Sequence, residues 1–387
     1  MTKTQLVEAH QISKNHRYFK ECDDLAFRSK NLWNATNYAV RQHYFNTGKH
    51  LPYEVVNKQF TVENQPDYRA LPAKVSKGTQ RLLEKSYKSF FKKSGFRRPP
   101  GYLHKTDGRM VVHYEKGALR TTVPGWIQLS KTHLFIKTDR KADFVRIVPK
   151  LDYYVIEVGY SVETPAPSET TGRVAAIDLG LNNLATVSSN VMRPIIINGK
   201  PVKSMNLYSN KLIAKIQSIT EGSSHRLRSY YRKRFNKIKD YLHKASTWLV
   251  KELNQNRIDT LVIGKNNGWK QKSKLKNFVQ IPYQMFVGML TYKCEGSGIK
   301  VILQEESYTS KSSFYSLDPI PIFGIKNEVR FKGIRMCRGL YKDASGQKLN
   351  ADLNGSLNIL RKSSAWLDDM FEACVYFSKQ PFITRSF

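Results

Sequence analysis

The sequence has few acidic residues, few cysteines and no long apolar run. Its 387 residues contain 31 Asp and Glu against 64 Lys and Arg. The four cysteines (Cys22, Cys294, Cys337 and Cys374) form no C-x-x-C pair, which argues against a disulfide scaffold. No run approaches the roughly 18 apolar residues of a membrane span, and residues 1–14 lack the apolar centre of a signal peptide. A secreted protein and a membrane protein are therefore not expected.

The excess of basic residues predicts a polyanionic partner. A formal net charge of +33 opposes compaction by self-repulsion unless an anion neutralises it, and nucleic acid is the usual partner of such chains. The chain is not a disordered basic tail, because 40% of its residues are hydrophobic and 12% are aromatic. We therefore expect folded domains that bind nucleic acid.

Hydrophobic spacing divides the chain at a Pro-containing segment, residues 163–172. Before this segment, helices are predicted over residues 19–45 and 75–92, and five short strands are predicted between residues 110 and 162. Residues 1–172 are thus expected to contain a basic helical region and a small β-barrel or sheet module, and to end in a linker at the domain boundary.

The remaining residues alternate strands and helices in a defined order. Strands are predicted at residues 174–178, 184–188, 195–198, 260–263 and 299–303. An amphipathic helix follows the third strand, with apolar residues from Leu227 to Leu253 at helical spacing and Phe235 among them, and further helices cover residues 283–294 and 350–360. An α/β domain of the RNase H-like class has this order. It would comprise residues 173–310 and 349–387, with an insertion at residues 311–348.

Two aspartates fall where metal-dependent chemistry would need them. Asp178 ends the first strand of this domain in AAIDLGLNNLAT, and Gly180 after it permits a tight turn. Asp352 lies at the start of the last helix in NADLNGSLNIL. Each alone is as easily explained by a turn cap or by the helix dipole. Together they indicate phosphodiester cleavage, in which convergent carboxylates hold the divalent ions that activate water and stabilise the leaving oxygen.

The same two segments resemble motifs of a known family. AAIDLGLNNLAT is similar to the first RuvC motif of the TnpB proteins, NADLNGSLNIL is similar to the third, and YTSKSSF at residues 308–314 resembles the stretch after the fifth strand. TnpB proteins are transposon-encoded, RNA-guided DNA endonucleases related to type V CRISPR effectors and to Fanzor. The resemblance covers residues 174–362. It implies a RuvC-like nuclease domain, preceded by a wedge β-module with an inserted helical recognition region at about residues 19–93.

The resemblance also implies a function. The protein would be a divalent-metal-dependent endonuclease that binds a guide RNA from its transposon end and a double-stranded DNA target with a short adjacent motif. Its cofactor would be Mg²⁺ or Mn²⁺, as two ions, and its location the bacterial or archaeal cytoplasm. A nuclease-inactive, RNA-guided DNA-binding repressor is the alternative if the nuclease site has decayed. A DNA-strand-transferring transposase is less favoured, because no end-binding module or activated tyrosine nucleophile is evident.

The second catalytic residue of the family is missing from its usual place. TnpB proteins have a glutamate at the end of the fourth strand, where this sequence has Gly264 in TLVIGKNN. The fifth strand instead ends in VILQEESYTSK, and parallel neighbouring strands about 4.8 Å apart bring their carboxyl ends to one edge. We expect Glu306 to be the relocated ligand, because alternation directs Glu305 to the opposite face; Glu305 is the alternative. The predicted catalytic residues and metal ligands are Asp178, Glu306 and Asp352.

The zinc ribbon of the family is also altered. A zinc ribbon needs four thiolates in two close pairs. Ser313 and Ser316 stand in place of the first pair, and Cys337 alone lies near the second. We therefore expect no bound zinc, and a metal-free hairpin insertion over residues 312–346.

Basic residues on two helices and in one connecting segment are candidates for nucleic-acid contacts. Residues 200–280 contain 19 Lys and Arg against 4 Asp and Glu, and this nearly single-signed charge suits a phosphate track. The helix over residues 75–92 would provide a second track. The candidates are Arg226, Arg228, Arg232, Lys233, Arg234 and Lys237 on the long helix, Lys77, Arg81 and Lys85 on the N-terminal helix, and Lys270 and Lys272 after the fourth strand.

Overall fold

The chain folds as two compact units, one formed by Gln5–Val162 and the other by Glu163–Phe387 together with Met1–Thr4. The computed structural model describes residues 2–92, 98–166, 170–219, 222, 224–265, 280–324, 329–379, 381–384 and 387. Two of the predicted nucleic-acid contacts, Lys270 and Lys272, lie outside the described residues.

Within the described residues, the N-terminal unit combines four helices with two small sheets. The helices are α1 (Phe19–Thr47), α2 (Tyr53–Val62), α3 (Pro66–Arg69) and α4 (Ala73–Phe91). One sheet has the strand order β1 (Thr2–Ile12), β7 (Tyr154–Thr164), β6 (Ala142–Pro149), β2 (Val112–Glu115). The other has the order β3 (Leu119–Val123), β4 (Trp126–Leu129), β5 (Phe135–Lys137). The five predicted strands are divided between these two sheets.

The two long helices of this unit share a hydrophobic core because each has one apolar face. Leu25 and Leu32 of α1 and Leu83 and Tyr87 of α4 are buried in a single cluster. α1 ends at Gly48, whose φ of 68° is a left-handed conformation that favours glycine at a helix end. The charged faces of both helices therefore stay at the surface.

The C-terminal unit is a mixed α/β fold built around one large sheet. Its strands are β8 (Val174–Leu179), β9 (Asn183–Ser189), β10 (Ile195–Asn198), β11 (Thr260–Lys265), β12 (Lys300–Glu305) and β16 (Phe382–Ile383). The described helices are α5 (Lys200–Gln217), α6 (His225–Gln255), α7 (Tyr283–Gly296), α8 (Ala351–Lys362) and α9 (Met370–Phe377). A separate small sheet of β13 (Ile334–Cys337), β14 (Leu340–Lys342) and β15 (Lys348–Asn350) precedes α8.

The large sheet places β8 at its centre. The strand order is β12-β11-β8-β9-β10-β16. β8 is parallel to β11, and β11 is parallel to β12, whereas β9 is antiparallel to both β8 and β10. The run VAAIDL of β8 suits a strand with sheet neighbours on both sides and helices over both faces. Because the register aligns Ile177 with Ile263 and Ile263 with Leu303, the three parallel strands end at the same edge.

Alternation along β8 assigns the two faces of the sheet to different helices. Ala175 and Ile177 belong to the core cluster that contains the buried residues of α6 and α7. Val174 and Ala176 belong to the cluster that contains those of α8 and α9. Since side chains alternate along a strand, Asp178 lies on the same face as α8. The fold therefore directs this carboxylate toward the last long helix.

The long helix α6 departs from its predicted apolar stripe at one position. Phe235 is 44% exposed, although its spacing placed it in the stripe, and Tyr241 is buried instead. The reason is that the first half of α6 packs on α5 through a small separate cluster of Ile213, Ile216 and Leu227. The core of the sheet is reached only by the second half of the helix.

Among the described residues, the elements that the sequence did not predict include β1, α2, α3, β3, α5, α9 and β16. α5 has Pro201 in its first turn, where a missing backbone N–H is tolerated. Because proline usually interrupts a helix, its presence made the helical pattern of this segment difficult to recognise in the sequence. β16 is two residues long and pairs in parallel with β10. Among the described helices, none is long and apolar enough to cross a membrane.

The outward placement of Phe235 can be tested against a core position on the same helix. Leu242→Ala should lower the free energy of unfolding by about 2–5 kcal/mol, because it leaves a cavity among buried side chains. Phe235→Ala should cost less than about 1 kcal/mol, as expected of a surface position. Urea denaturation followed by circular dichroism measures both, and equal losses would contradict the placement of Phe235.

Candidate active site

Three parallel strands bring their carboxyl ends together at one edge of the large sheet. Asp178 is next to the last residue of β8, Gly264 is next to the last residue of β11, and Glu306 follows the last residue of β12. The register pairs Gly264 with Gln304. Because side chains alternate, positions 178, 264 and 304 are on the face covered by α8, and 306 follows the same alternation.

Gly264 leaves the space that the Glu306 carboxylate occupies. A Cβ atom at residue 264 would lie 2.6 Å from Glu306 Oε2, 2.6 Å from Ile359 Cδ1 and 3.2 Å from the carbonyl oxygen of Ile177. These separations are far below ordinary van der Waals contact, so any side chain here would have to displace its neighbours. A glutamate at position 264 and the present Glu306 carboxylate therefore exclude one another.

Asp352 is fixed in the first turn of α8. The side chain of Asn350 caps the helix and accepts hydrogen bonds from the backbone N–H groups of Asp352 at 2.9 Å and Leu353 at 3.2 Å. Among the described residues, two side chains donate to the Asp352 carboxylate. The Asn183 amide donates to Oδ2 at 2.8 Å, and the Arg335 guanidinium donates to Oδ1 at 3.3 Å. Residues from β9 and β13 thus orient a carboxylate on α8.

A second glycine allows α8 to approach Asp178 closely. A Cβ atom at Gly355 would lie 2.7 Å from Asp178 Oδ2. Gly355 comes three residues after Asp352, so the two positions lie on the same side of α8. The sequence D-L-N-G therefore places one aspartate on the helix and leaves room for another beside it.

Burial and like charges act on two of these carboxyl groups. Burial is the largest cause that raises the pKa of Asp178 well above its usual range, and the charges of Glu306 and Asp352 add to it. Burial also raises the pKa of Glu306 to about 7. Glu306 Oε2 is buried, and no hydrogen-bond partner for it occurs among the described residues. Repulsion between like charges and a buried, unpartnered oxygen both favour the binding of a cation.

The donor chemistry of this edge suits a hard divalent cation. Asp178, Glu306 and Asp352 offer carboxylate oxygens, which are the ligands that Mg²⁺ and Mn²⁺ prefer. In the part of the chain that the structure describes, no three His, Cys, Asp or Glu side chains are already arranged to hold a metal ion. The edge therefore supplies a fitting donor set without an assembled coordination sphere.

Glu305 has different partners from Glu306. Lys362 Nζ donates to Glu305 Oε2 at 2.7 Å, and the backbone N–H of Ser307 donates to Oε1 at 2.7 Å. Burial alone would raise the pKa of Glu305, but the hydrogen bonds from Lys362 and Ser307 outweigh it and hold the pKa below its usual range. The two consecutive glutamates thus differ in environment: one is ion-paired, and the other has an unpartnered oxygen.

The segment at the expected zinc-ribbon position is held by hydrogen bonds. Ser313 Oγ donates to Ser316 Oγ at 3.2 Å. Asp318 Oδ2 accepts from the backbone N–H groups of Ser313 and Lys332, both at 3.0 Å. Cys337 is exposed on β13, which pairs with β14 in an antiparallel hairpin. β15 adds a third strand to this hairpin.

The basic candidates on α6 differ in exposure. Arg234 Nε donates to Asn206 Oδ1 of α5 at 2.8 Å, and burial lowers the pKa of Arg234. This arginine therefore joins two helices in addition to carrying charge. The exposed candidates are Arg226, Lys233 and Lys237, and the half-buried ones are Arg228, Arg232 and Arg234.

The candidates on α4 belong to the N-terminal unit. Arg81 is exposed, but it donates to Glu115 Oε1 at 2.7 Å and to the Tyr53 hydroxyl at 3.2 Å. Its charge is therefore partly neutralised within the unit. Lys85 is exposed and Lys77 is half-buried.

Four residues of the site are absent from the sequence predictions: Asn183, Arg335, Gly355 and Lys362. Asn183 and Gly355 lie inside the two aspartate-containing segments, and their short spacing from Asp178 and Asp352 was an available signal. Arg335 lies 17 residues before Asp352, and no local pattern marks it.

Comparison with known protein families gives matches that lie mainly in the C-terminal unit. Residues 157–270 match the OrfB_IS605 family, described as a probable transposase, and residues 283–359 match the Cas12f1-like TNB domain. A curated relative is the TnpB-like protein ORF457 of Acidianus two-tailed virus, which is 29% identical over 205 residues. The alignment covers 49% of this chain and 42% of the relative, so the chain spans about two fifths of that protein's length.

Solved structures are also matched, among them the following two. The Cas12f1 complex with sgRNA and target DNA is 14% identical, with a TM-score of 0.38 and coverage of 93% of this chain and 100% of the other. The mini-RNA-guided endonuclease CRISPR-Cas_phi3 is 11% identical, with a TM-score of 0.44 and coverage of 93% and 92%.

The two family matches cover different parts of the chain, and each contains one of the two predicted catalytic aspartates, Asp178 in the first and Asp352 in the second. Together with the TnpB-like relative, these matches confirm the resemblance of the chain to the TnpB family.

The close packing at Gly264 can be tested by adding one methyl group. Gly264→Ala should lower the free energy of unfolding by about 1–3 kcal/mol, because the new Cβ would press on Glu306 Oε2 and Ile359. Gly288→Ala is the matched control, since nothing lies within 4 Å of a Cβ at that position in α7 and alanine favours a helix. Thermal or urea denaturation measures both. A Gly264→Ala protein as stable as the wild type would contradict the packing described here.

Proposed function

We propose that this protein is an RNA-guided, divalent-metal-dependent DNA endonuclease associated with a transposon. The observation that carries the proposal is the placement of Asp178, Glu306 and Asp352 around one sheet edge, where burial, and after it the charges of Glu306 and Asp352, raise the pKa of Asp178. Resemblance to the TnpB family supports nuclease chemistry at this edge. Perturbed carboxyl groups that lack partners are typical of functional sites.

The architecture of the C-terminal unit supports an RNase H-like (RuvC) domain. Three consecutive strands with β9 antiparallel are followed by two parallel strands on the other side of β8. We assign residues 173–310 and 349–387 to this domain and residues 311–348 to an insertion. Residues 1–172 would form the wedge β-module, with the helical recognition region at about residues 19–93.

Glu306 would replace the glutamate that TnpB proteins have on the strand corresponding to β11. The carboxylate of Glu306 reaches the space that a side chain at position 264 would fill. Relocation to the neighbouring strand therefore preserves a carboxylate at nearly the same place, and it requires glycine at position 264. Glu305 is less suited to this role because Lys362 already binds it.

Asp178, Glu306 and Asp352 would hold two Mg²⁺ or Mn²⁺ ions. Such ions, when bound, activate water and stabilise the leaving oxygen in phosphodiester cleavage. The residues of the chain prepare this chemistry. Asn183 and Arg335 orient the Asp352 carboxylate, while the burial of Glu306 strengthens its interaction with a cation.

The partners would be a guide RNA from the transposon end and a double-stranded DNA target with a short adjacent motif. The net charge of +33 supports two polyanionic ligands. A guide–target heteroduplex is recognised by its backbone, for which the exposed cations of α6 are suited. The bacterial or archaeal cytoplasm remains the predicted location.

The catalytic assignment predicts that cleavage and binding can be separated. Asp178→Ala, Glu306→Ala and Asp352→Ala should each abolish cleavage of a guide-matched plasmid in Mg²⁺, while guide RNA and target binding persist. Each substitution removes a metal ligand and not a phosphate contact. The guide is identified by sequencing the RNA that copurifies with the protein. Gel-based cleavage and filter-binding assays measure the two properties.

Glu305→Gln is the matched control for this series. It should retain cleavage and lower the melting temperature, because Lys362, whose side chain is 10% exposed, loses its ionic partner. Activity of Glu306→Ala together with inactivity of Glu305→Gln would reverse the two roles. Full cleavage by a protein lacking both glutamates would reject the relocated ligand. A wild-type protein that binds its target without cutting it would be the guided repressor.

Electrostatic binding predicts a steep dependence of affinity on salt. The logarithm of the association constant should fall linearly with the logarithm of salt concentration, and Lys237→Ala should reduce that slope by about 1. Lys300→Ala is the control, because this exposed lysine begins β12, at the end of the strand away from the carboxylates. Fluorescence anisotropy with labelled nucleic acid measures the slopes. A flat salt response would reject the phosphate track.

A further inference from the structure

A cavity in the N-terminal unit is lined mainly by aromatic rings. It lies between the C-terminal halves of α1 and α4 and has a volume of about 160 Å³. Nothing in the proposed nuclease chemistry uses it. Its ring-bearing walls are Tyr44, Phe45, His50, Tyr87, Phe90 and Phe91.

The rings of this cavity are held in place by one another. Tyr87 and Phe91 stack with centroids 6.2 Å apart and an interplanar angle of 26°. His50 contacts both rings at 5.4 Å, and Glu84 fixes its imidazole through a 3.0 Å contact. Tyr87 is buried, whereas Phe91 is 53% exposed and Phe45 is 70% exposed. The wall is therefore preformed, and its outer rings are open to a ligand.

Arg41 contributes a guanidinium to the cavity, and one nitrogen of this group lacks a hydrogen-bond partner among the described residues. One terminal nitrogen of its guanidinium donates to the carbonyl oxygen of Pro100 at 2.6 Å, and the guanidinium lies 4.8 Å from the centre of the Tyr102 ring. Its Nε atom is buried and has no hydrogen-bond partner among the described residues. Buried donors are nearly always paired, so this N–H indicates a missing acceptor.

The surroundings of the cavity are almost entirely basic. The described residues 37–53, 80–92 and 98–102 contain seven Lys and Arg and a single acidic residue, Glu84. Glu84 is engaged by His50 at 3.0 Å and by Lys88 at 3.3 Å. Lys49, Lys88 and Lys92 are exposed. A ligand with phosphate groups next to a planar ring matches this combination.

We propose that the cavity binds one unstacked nucleobase of a nucleic-acid strand. A cavity of about 150 Å³ is enough for a benzene-sized ring. Aromatic side chains would stack on the base, Arg41 Nε would donate to one of its acceptors, and the neighbouring lysines would contact the flanking phosphates. An apolar peptide side chain would use neither the free donor nor the cations. The proposal needs only nucleic-acid binding, so it stands whether or not the protein cleaves DNA.

The test isolates a single base on a constant backbone. The nucleic-acid-free full chain is mixed with strands of abasic sugar phosphates that carry either one central 2-aminopurine or no base, in ribose and deoxyribose forms. Stacking should quench the 2-aminopurine fluorescence, and the base should raise affinity about 10-fold over the abasic strand. The ribose and deoxyribose arms distinguish an RNA source from a DNA source.

Variants then assign the effect to the cavity. Phe91→Ala should remove the quenching and the 10-fold gain without changing the affinity for the abasic strand or the salt slope, and Phe91→Trp should retain both effects. Tyr38→Ala is the matched control, because Tyr38 is 59% exposed on α1 and does not line this cavity. Equal affinity of the two strands for the wild type would overturn the proposal. So would an equal loss for both strands with Phe91→Ala, or the same loss with Tyr38→Ala.

Discussion

The arrangement of the C-terminal unit depends on how closely α8 can pack over the carboxyl ends of β8 and β11. At two points the packing is possible only because a side chain is missing, at Gly264 on the strand and at Gly355 on the helix. The Glu306 carboxylate fills the first space and the Asp178 carboxylate fills the second. A larger residue at either point would displace the carboxylate that now fills the space and disturb its packing under α8, whose apolar side chains contact Val174, Ala176 and Val262.

This packing is unfavourable in one respect, because it brings carboxylates of like charge close together where little water reaches them. The N-terminal unit shows how the same chain treats an acid that has a structural role. Arg109 binds both carboxylate oxygens of Asp23 at 2.8 Å, the Tyr154 hydroxyl donates to the same group at 2.7 Å, and Arg109 chiefly holds the pKa of Asp23 below its usual range. Asp178 and Glu306 are shifted in the opposite direction. The ionised forms of Asp178 and Glu306 are therefore less favourable for the stability of the fold than uncharged groups at the same positions would be. This is typical of residues that serve a function.

One helix also organises the insertion that precedes it. Asn354 donates to the carbonyl oxygen of Ser312 at 2.8 Å and accepts from the backbone N–H of Phe314 at 3.0 Å. Asn358, one turn later, donates to the carbonyl oxygens of Thr309 at 3.0 Å and Ser312 at 2.7 Å. The segment N-G-S-L-N thus has two roles on different sides of α8: its glycine adjoins Asp178, and its asparagines bind the loop that follows Glu306.

Much of this fold could be predicted from the sequence, because the signals are local. Periods of two and of 3.6 residues placed β8 to β12, α6, α7 and α8 to within a few residues, and the positions of Asp178 and Asp352 followed from where their elements end or begin. The glycine at position 264 and the glutamates at 305 and 306 were equally visible. Strand alternation already favoured Glu306 over Glu305, and the structure adds the contact of Glu305 with Lys362 and the position of the Glu306 carboxylate at Gly264. The exposure of Phe235, the helix α5 on which that half of α6 packs, and the contact of Arg335 with Asp352 were also decided by tertiary structure. Each depends on which distant segment lies alongside. Spacing along a chain determines which face of an element is apolar, whereas the partner of that face is determined by packing between residues far apart in sequence.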